Sequence, residues 1–322
     1  MKLVIAGAGS IGCFCGGLLS VDGHDVTLFG RRRVLDPIAN TGLRLTDFSG
    51  LDQTVPPQRL ELSDQPSCLT SAQLILVTVK SGATAEMAEL IATHAPPDAP
   101  VLSWQNGIEN ARILKGVLQG RTVRAGMVPF NVVPKGPAHF HRATSGDIVI
   151  EAGEGDLAQH LSSGPLQVLE SDRIEAVQWG KLVINLNNAL NALSGLPLQQ
   201  QLLDRRWRRV MADQMDEALA VLRAAQSPVL SMTPLPAWLI PSVLRLPTAL
   251  FSRIAAKMLT IDPEARTSMS YDVMARRDTE IDSLQGQIIR LGERWGVPTP
   301  INARVAALIA DRPQDPIGPE QI

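Results

Sequence analysis

Lys181, Asn185 and Asn188 stand in the segment Trp179-Gly180-Lys181-Leu182-Val183-Ile184-Asn185-Leu186-Asn187-Asn188-Ala189-Leu190-Asn191. On a helix turning about 100° per residue, these three fall within an arc of about 60°. Asn is a mediocre helix former, and solvent faces usually carry Glu, Lys, Gln or Arg instead. One cation followed by amides on an otherwise apolar helix therefore predicts a semi-buried polar cleft. Hydride addition to a ketone leaves an alkoxide that needs a proton donor within hydrogen-bond reach. A lysine in a partly desolvated cleft can supply that proton, because its pKa falls readily on burial. Neutral amides beside it orient a substrate without quenching the charge. The alternative is a buried amide network that only fixes helix packing.

A second group of residues suits a nucleotide. Gly7-Ala8-Gly9-Ser10-Ile11-Gly12 is a GxGxxG motif that follows a strand-like run from Lys2 and opens a helix-compatible stretch. In that context Gly7 permits a tight turn, Gly9 admits a pyrophosphate to the backbone, and Gly12 allows close helix–strand packing. The free N–H groups of the helix start then meet the anion. The end of the second strand reads Val26-Thr27-Leu28-Phe29-Gly30-Arg31-Arg32-Arg33, without the Asp or Glu that holds a ribose 2′-hydroxyl in NAD sites. Guanidinium groups suit a 2′-phosphate, so the expected cofactor is NADPH/NADP, with Arg31 the main contact and Arg32 or Arg33 in support. The bland alternatives are a ligand-free glycine turn and a solvated basic turn. Lys80 and Asn106-Gly107 follow two further strand-like runs, where an open α/β sheet binds ligands. Lys80 could equally be an ordinary exposed strand end.

These groups need elements to position them. Apolar runs at 2–6, 26–29, 74–79 and 101–104 read as strands buried on both faces, and 11–21 and 83–94 as helices between them. That alternation predicts a parallel sheet covered by helices. Segments 127–133, 138–141 and 147–151 suggest an antiparallel extension of the sheet. From about Ser171 the period is helical throughout, with long amphipathic candidates at 175–193 and 204–226. Asp262-Pro263-Glu264 is a strong helix start. That helix is expected to run on through Ile281, Leu284, Ile288, Leu291 and Trp295, until Gly296 and Pro298 stop it. Residues 227–247 hold five prolines among apolar residues and read as a buried irregular connection.

Composition narrows the classes. Of 322 residues, 45 % are hydrophobic and 19 % charged, enough apolar material for two ordinary domains and too much for a disordered chain. A net charge of −2 offers no electrostatic footprint for nucleic acid or an anionic membrane. No apolar run approaches the length of a membrane span, and the immediate strand at Lys2 leaves no room for a signal peptide. Cys13, Cys15 and Cys68 match neither a disulfide framework nor zinc-ligand spacing, so a reducing, cytoplasmic setting is expected. His139 and His141 could share one strand face, but without an acid or Cys nearby no metal site is expected. The oligomeric state stays open. The Pro-rich stretch 228–247, with Trp238 and then Phe251, reads as either core or interface, and the latter would suit a homodimer.

The glycine turn, Arg31, Val77-Thr78-Val79-Lys80, Gln105-Asn106-Gly107, Trp179 to Asn185 and Asp278-Thr279-Glu280-Ile281-Asp282 occur in the order seen in ketopantoate reductases. The chain resembles that family from residue 1 to about 310. The resemblance implies an α/β, Rossmann-type doubly wound domain over 1–171. It also implies an all-α domain like that of 6-phosphogluconate dehydrogenases over 172–322, with the active site in the cleft between them. It makes Lys181 the general acid and Asn185 a substrate ligand, and puts Lys80 and Asn106 at the nicotinamide–ribose end of NADPH. Ser268 matches a serine that binds the substrate, and Glu280 a glutamate implicated in substrate binding and catalysis. The implied reaction is reduction of 2-dehydropantoate to pantoate, a precursor of pantothenate and coenzyme A.

Two positions depart from the family pattern. Ala189 stands where a second asparagine is common, with Asn188 one place earlier, and Leu196-Pro197-Leu198 lacks an asparagine found in some members. Both bear on the substrate more than on the reaction type. Ser268 and Glu280 on one straight helix would stand about 18 Å apart, too far to grip one small molecule. Either the helix bends or the two residues contact different groups. Two other readings stay open: a related NADP-dependent dehydrogenase acting on another 2-oxo or 3-hydroxy acid or an imine, and a non-catalytic NADPH-binding module.

Overall fold

The computed structural model describes residues 1–256, 259, 264–311 and 315–322. Within it the chain divides into two compact units, Met1–Ile174 and Glu175–Ile322. The first is a mixed α/β unit built on a largely parallel sheet, and the second is helical.

The strands of the first unit are β1 (Lys2–Ala6), β2 (Asp25–Phe29), β3 (Leu43–Asp47), β4 (Asp52–Val55), β5 (Leu60–Ser63) and β6 (Leu74–Val77). They continue with β7 (Val101–Ser103), β8 (Val123–Met127), β9 (Val132–Gly136), β10 (His139–Arg142), β11 (Ile148–Glu151) and β12 (Val168–Ser171). Its helices are α1 (Ser10–Val21), α2 (Arg32–Thr41), α3 (Thr84–His94), α4 (Glu109–Val117) and α5 (Leu157–Leu161). Eight strands form one sheet in the order β12-β11-β8-β7-β6-β1-β2-β5, parallel except where β11 meets β8.

The apolar runs are continuous because both faces of this sheet are covered. Leu3 and Ile5 of β1 enter one core with Phe14 and Leu18 of α1, while Val4 and Ala6 enter another with Met87 and Ile91 of α3. Residues 123–151 differ from the expected antiparallel extension. Only β11 adds antiparallel to the main sheet. The β9–β10 hairpin instead joins β3 and β4 in a second sheet, ordered β4-β3-β10-β9, that packs over α1. The physical reason is burial. Leu43, Leu45, Val55 and Phe140 point from this small sheet into the α1 side of the core, leaving charged residues such as Arg44 and Asp52 outside.

The second unit comprises α6 (Ile174–Asn185), α7 (Asn187–Ser194), α8 (Leu198–Leu203), α9 (Arg205–Ala224) and α10 (Ile240–Leu244). It continues with α11 (Thr248–Ile254), α12 (Ser268–Met274), α13 (Gln285–Trp295) and α14 (Pro300–Ala310). Asp204 caps α9 by accepting from the Arg206 N–H at 2.8 Å. Glu217 of α9 accepts from the Ile301 and Asn302 N–H groups, so an acid from one helix satisfies the start of another. Arg208 is buried, and among the described residues no carboxylate is one of its hydrogen-bond partners. Its guanidinium donates to the Leu202, Leu203, Leu244 and Leu246 carbonyls, at the ends of α8 and α10, and lies 4.2 Å from the centre of the Phe251 ring. Phe251 is therefore core, whereas Trp238 is 66 % exposed. The Pro-rich stretch is mostly half-buried or exposed rather than buried.

The long C-terminal helix expected from Asp262 is interrupted. Asp262 and Pro263 lie outside the described residues, and the helix that carries Ser268 ends at Met274. Arg276 takes a left-handed φ of 52°, and the Arg277 N–H closes back on the Asp272 carbonyl at 2.8 Å. Residues 276–280 offer no apolar side chain to bury, so nothing holds a helix on the core there. A 3₁₀ turn at Ile281–Ser283 and then α13 resume the pattern, and Gly296 ends α13 in the left-handed conformation. Ser268 and Glu280 thus do not share one axis, and the straight-helix separation does not apply.

Candidate functional site

In the α/β unit the candidate cofactor residues follow the carboxyl ends of four adjacent parallel strands: Gly7 after β1, Arg31 after β2, Lys80 after β6 and Asn106 after β7. Backbone atoms bind these loops together. The Gly7 and Ala8 N–H groups both donate to the Phe29 carbonyl, at 3.0 and 2.9 Å, and the Thr78 hydroxyl donates to the Gly7 carbonyl at 2.6 Å. Gly7 has a φ of 125°, and a Cβ on Gly12 would stand 2.2 Å from the Gly7 oxygen and 2.6 Å from the Thr78 hydroxyl. Gly9 is the opposite case, with nothing within 4 Å of where its Cβ would be. The first turn of α1 carries neither a side-chain cap nor an acid. Open space above Gly9 and uncapped N–H groups fit a bound pyrophosphate.

Arg31, exposed, sits at the N-cap position of α2. Gly30 before it presses on Ala8, where a Cβ would come within 2.5 Å of the Ala8 Cβ. Arg32 is engaged elsewhere: its guanidinium grips both carboxylate oxygens of Asp64, at 2.8 and 3.0 Å. Asp64 is distant in sequence and lies just past β5, the neighbour of β2, so the fold brings an acid to a strand edge that shows none in the sequence. The loops after β6 and β7 share a buried polar network that motif reading did not single out. Gln105 donates to the Val79 carbonyl and the Thr84 hydroxyl, Thr84 donates to Asn110 Oδ1, and Asn110 donates to Ser81 and to the Asn106 carbonyl. Gln105 and Asn106 stand in the quoted Gln105-Asn106-Gly107 segment, whereas the buried Thr84 and Asn110 are the members that sequence reading missed.

In the helical unit, Lys181 and Asn185 stand one turn apart on α6, with Asn188 on α7 after an interruption at Leu186. Lys181 is half-buried, and desolvation pushes its amine down from the usual lysine value to about 8. Asn185 and Asn188 are buried. Gly180 precedes the lysine for a steric reason: a Cβ there would collide with the Leu230 carbonyl, which lies against α6 because the Leu230 N–H donates to the Ala176 carbonyl.

Ser268 opens α12, and Thr267 just before it is bonded to α7. The Thr267 N–H donates to Asn191 Oδ1 at 3.0 Å, and its hydroxyl donates to the Asn188 carbonyl at 3.1 Å. Glu280, half-buried, leads into the 3₁₀ turn before α13. Gln285 at the start of α13 donates to the Leu186 carbonyl at 2.8 Å, at the α6–α7 interruption. The structure thus ties the segments bearing Ser268 and Glu280 to the helices bearing Lys181, Asn185 and Asn188. Asn191, Gln201, Thr267 and Gln285 make or support these ties and were not among the expected site residues. The density of amides in Asn187-Asn188 with Asn191 and in Gln199-Gln200-Gln201 was the available signal. His139 and His141 both reach the Thr46 hydroxyl at 2.9 Å. Among the described residues no helix is long and apolar enough to cross a membrane.

Comparison with known proteins agrees with this architecture over nearly the whole chain. The family model for ketopantoate reductase PanE/ApbA matches residues 3–155, and its C-terminal counterpart matches 173–312. A 2-dehydropantoate 2-reductase of Halobacterium salinarum is 24 % identical over 96 % of this chain and 98 % of its own length. A PanE/ApbA family ketopantoate reductase from Ralstonia eutropha JMP134 superposes with a TM-score of 0.82 at 33 % identity, covering 97 % of this chain and 98 % of that one. A D-mandelate dehydrogenase, solved with NADH and anilino(oxo)acetate, shares the fold with a TM-score of 0.78 at 23 % identity, over 97 % and 98 % of the two chains. With both family models matched in order and a relative one-third identical along the full length, the chain belongs to the ketopantoate reductase family of oxidoreductases.

Proposed function

We propose that this protein uses NADPH to reduce the ketone of a small 2-oxo acid, with 2-dehydropantoate the substrate and pantoate the product. The work would belong to cytoplasmic supply of pantothenate and coenzyme A. The observation that carries the reading is Lys181, an amine lowered to about 8 by burial, with Asn185 one helical turn away. Bound NADPH would supply the hydride. Gly7 to Gly12 and the start of α1 would hold its pyrophosphate, Arg31 its 2′-phosphate, and Lys80 and Asn106 its nicotinamide–ribose end. Lys181, cationic at neutral pH, would give its proton to the nascent alkoxide. Asn106, Asn185 and Asn188 would orient the substrate, Ser268 would anchor its polar end, and Glu280 would serve as a further polar partner.

NADPH consumption with ketopantoate, beside pyruvate and 2-oxoisovalerate, tests the substrate. Ketopantoate should be turned over fastest. Lys181→Ala should retain NADPH binding and lose kcat by about 10²–10⁴-fold. A near-normal kcat would remove Lys181 from the acid role. Tight NADPH binding without oxidation of any oxo acid would favour a binding module.

One residue favours a second reading, reduction of a bulkier 2-oxo acid. Ala189 is fully buried on α7, one turn beyond Asn185, where an amide would take up more room and polarity. A phenyl-substituted 2-oxo acid added to the panel separates the two readings.

A further inference from the structure

Asn191 is fully buried, and both ends of its amide are engaged. Oδ1 accepts the Thr267 N–H, while Nδ2 donates to the Leu196 carbonyl at 3.0 Å and to Gln201 Oε1 at 3.1 Å. A flipped amide would set an NH₂ against the Thr267 N–H, so its orientation is fixed. Gln201 is locked in turn, donating to Asn187 Oδ1 at 2.9 Å. Thr267 occupies the N-cap position of α12, where a threonine hydroxyl ordinarily caps its own helix. Here it does not. The hydroxyl crosses to the Asn188 carbonyl of α7 instead. A helix of seven residues does not sustain itself, so tertiary ties set where its first residue stands.

We propose that Asn191 and Thr267 are positioning residues for substrate binding: their two bonds to the chain entering α12 fix Ser268 relative to Asn188. This rests on the reading of Ser268 as the substrate anchor. The amides of α7 therefore divide by task. Asn188 faces the substrate, while Asn191 holds a neighbouring element in register. A carboxylate or hydroxyl of a small oxo acid offers few contacts, so a small displacement of its serine partner weakens binding of the acid and leaves binding of NADPH alone.

The test uses Thr267→Val, which keeps shape and removes the hydroxyl, with Thr267→Ser as the conservative rescue and Asn191→Leu as the second arm. Hydrogen exchange of the amides in 267–274 should speed up at least about tenfold in Thr267→Val and Asn191→Leu, with α9 unchanged, and return in Thr267→Ser. KM for the oxo acid should rise by about tenfold with kcat changed less and the NADPH Kd unchanged. Combining Thr267→Val with Ser268→Ala should raise KM no further than Ser268→Ala alone. Unaltered exchange overturns the tie, and a fully additive double variant overturns the action through Ser268. Ser268→Ala with unchanged KM would instead overturn the reading of Ser268 itself, an outcome the exchange measurement is independent of.

Discussion

In the α/β unit the glycine turn is held by backbone: two of its N–H groups share the Phe29 carbonyl, and a threonine hydroxyl reaches the Gly7 carbonyl. In the helical unit the corresponding work falls to side-chain amides, with Asn191 and Gln285 spanning from one element to the next. A backbone-held site fails when atoms are added, because there is no slack between main chains. An amide-held site tolerates changes of shape better than loss of one donor or acceptor. The helical unit has backbone-held places too, among them Gly180 against Leu230.

The largest effect should come from crowding the glycine turn. Gly12→Ala drives a methyl into the Gly7 carbonyl and Thr78, and should cost about 3 kcal/mol of stability along with cofactor binding. Gly9→Ala adds the same methyl to open space and should stay within about 1 kcal/mol of the parent fold. It should nonetheless bind NADPH about tenfold more weakly, because the methyl would stand where the proposed site receives the pyrophosphate. Denaturant unfolding and NADPH fluorescence titration read the two effects separately. Equal stability of the two variants would break the backbone-held account.

That half of the molecule was also the more legible. β1, β2, β6 and β7 announce themselves because strands covered on both faces are apolar at most positions, and the glycine spacing reports backbone proximity directly. β3 and β4 escape notice because one of their faces is exposed and they are short, as in Leu43-Arg44-Leu45-Thr46-Asp47. The helical half shows its amphipathic faces and the αL stop at Gly296, yet not its interruptions. Leu186 breaks 174–194 with no Pro or Gly to mark it. The break at Ala275 could have been read from the polar run 276–280, which has nothing to bury. Lys181 and Asn185 were visible as misfits on an apolar helix. Asn191 and Thr267 were not separable from them, because an amide facing a substrate and one bonded to a neighbouring helix look alike in one dimension.

The next effect concerns the charge that the amide-held unit keeps half-buried. Lys181 titrates near 8 in the fold and near 10.5 when unfolded, so between those values the unfolded chain binds the extra proton. Relative to Lys181→Met, the parent should be destabilised by about 1–3 kcal/mol below pH 8, and the deficit should close as pH rises from 8 to 10.5. Activity runs the other way. The acid must be protonated, so kcat/KM for ketone reduction should fall about tenfold per pH unit above 8. A profile flat to pH 10 would mean that the amine does not deliver the proton.

The smallest effect is at the exposed end of the backbone-held half, where side chains rather than main chain should choose the cofactor. Arg31 follows directly from Gly30, which is packed on Ala8 of the glycine turn, so its Cα cannot drift from the nucleotide's expected path. Arg32 has its guanidinium committed to both oxygens of Asp64. Arg31→Ala should therefore weaken NADPH by about tenfold more than NADH, the loss of one charge-assisted contact at an exposed site. Arg32→Ala should leave the NADPH to NADH ratio within about twofold, because an exposed ion pair with Asp64 contributes little. Titrating both nucleotides against both variants decides it. Equal losses for NADPH and NADH in Arg31→Ala would show that this guanidinium does not meet the 2′-phosphate. A larger change in the ratio from Arg32→Ala would show that Asp64 releases its partner when the nucleotide binds.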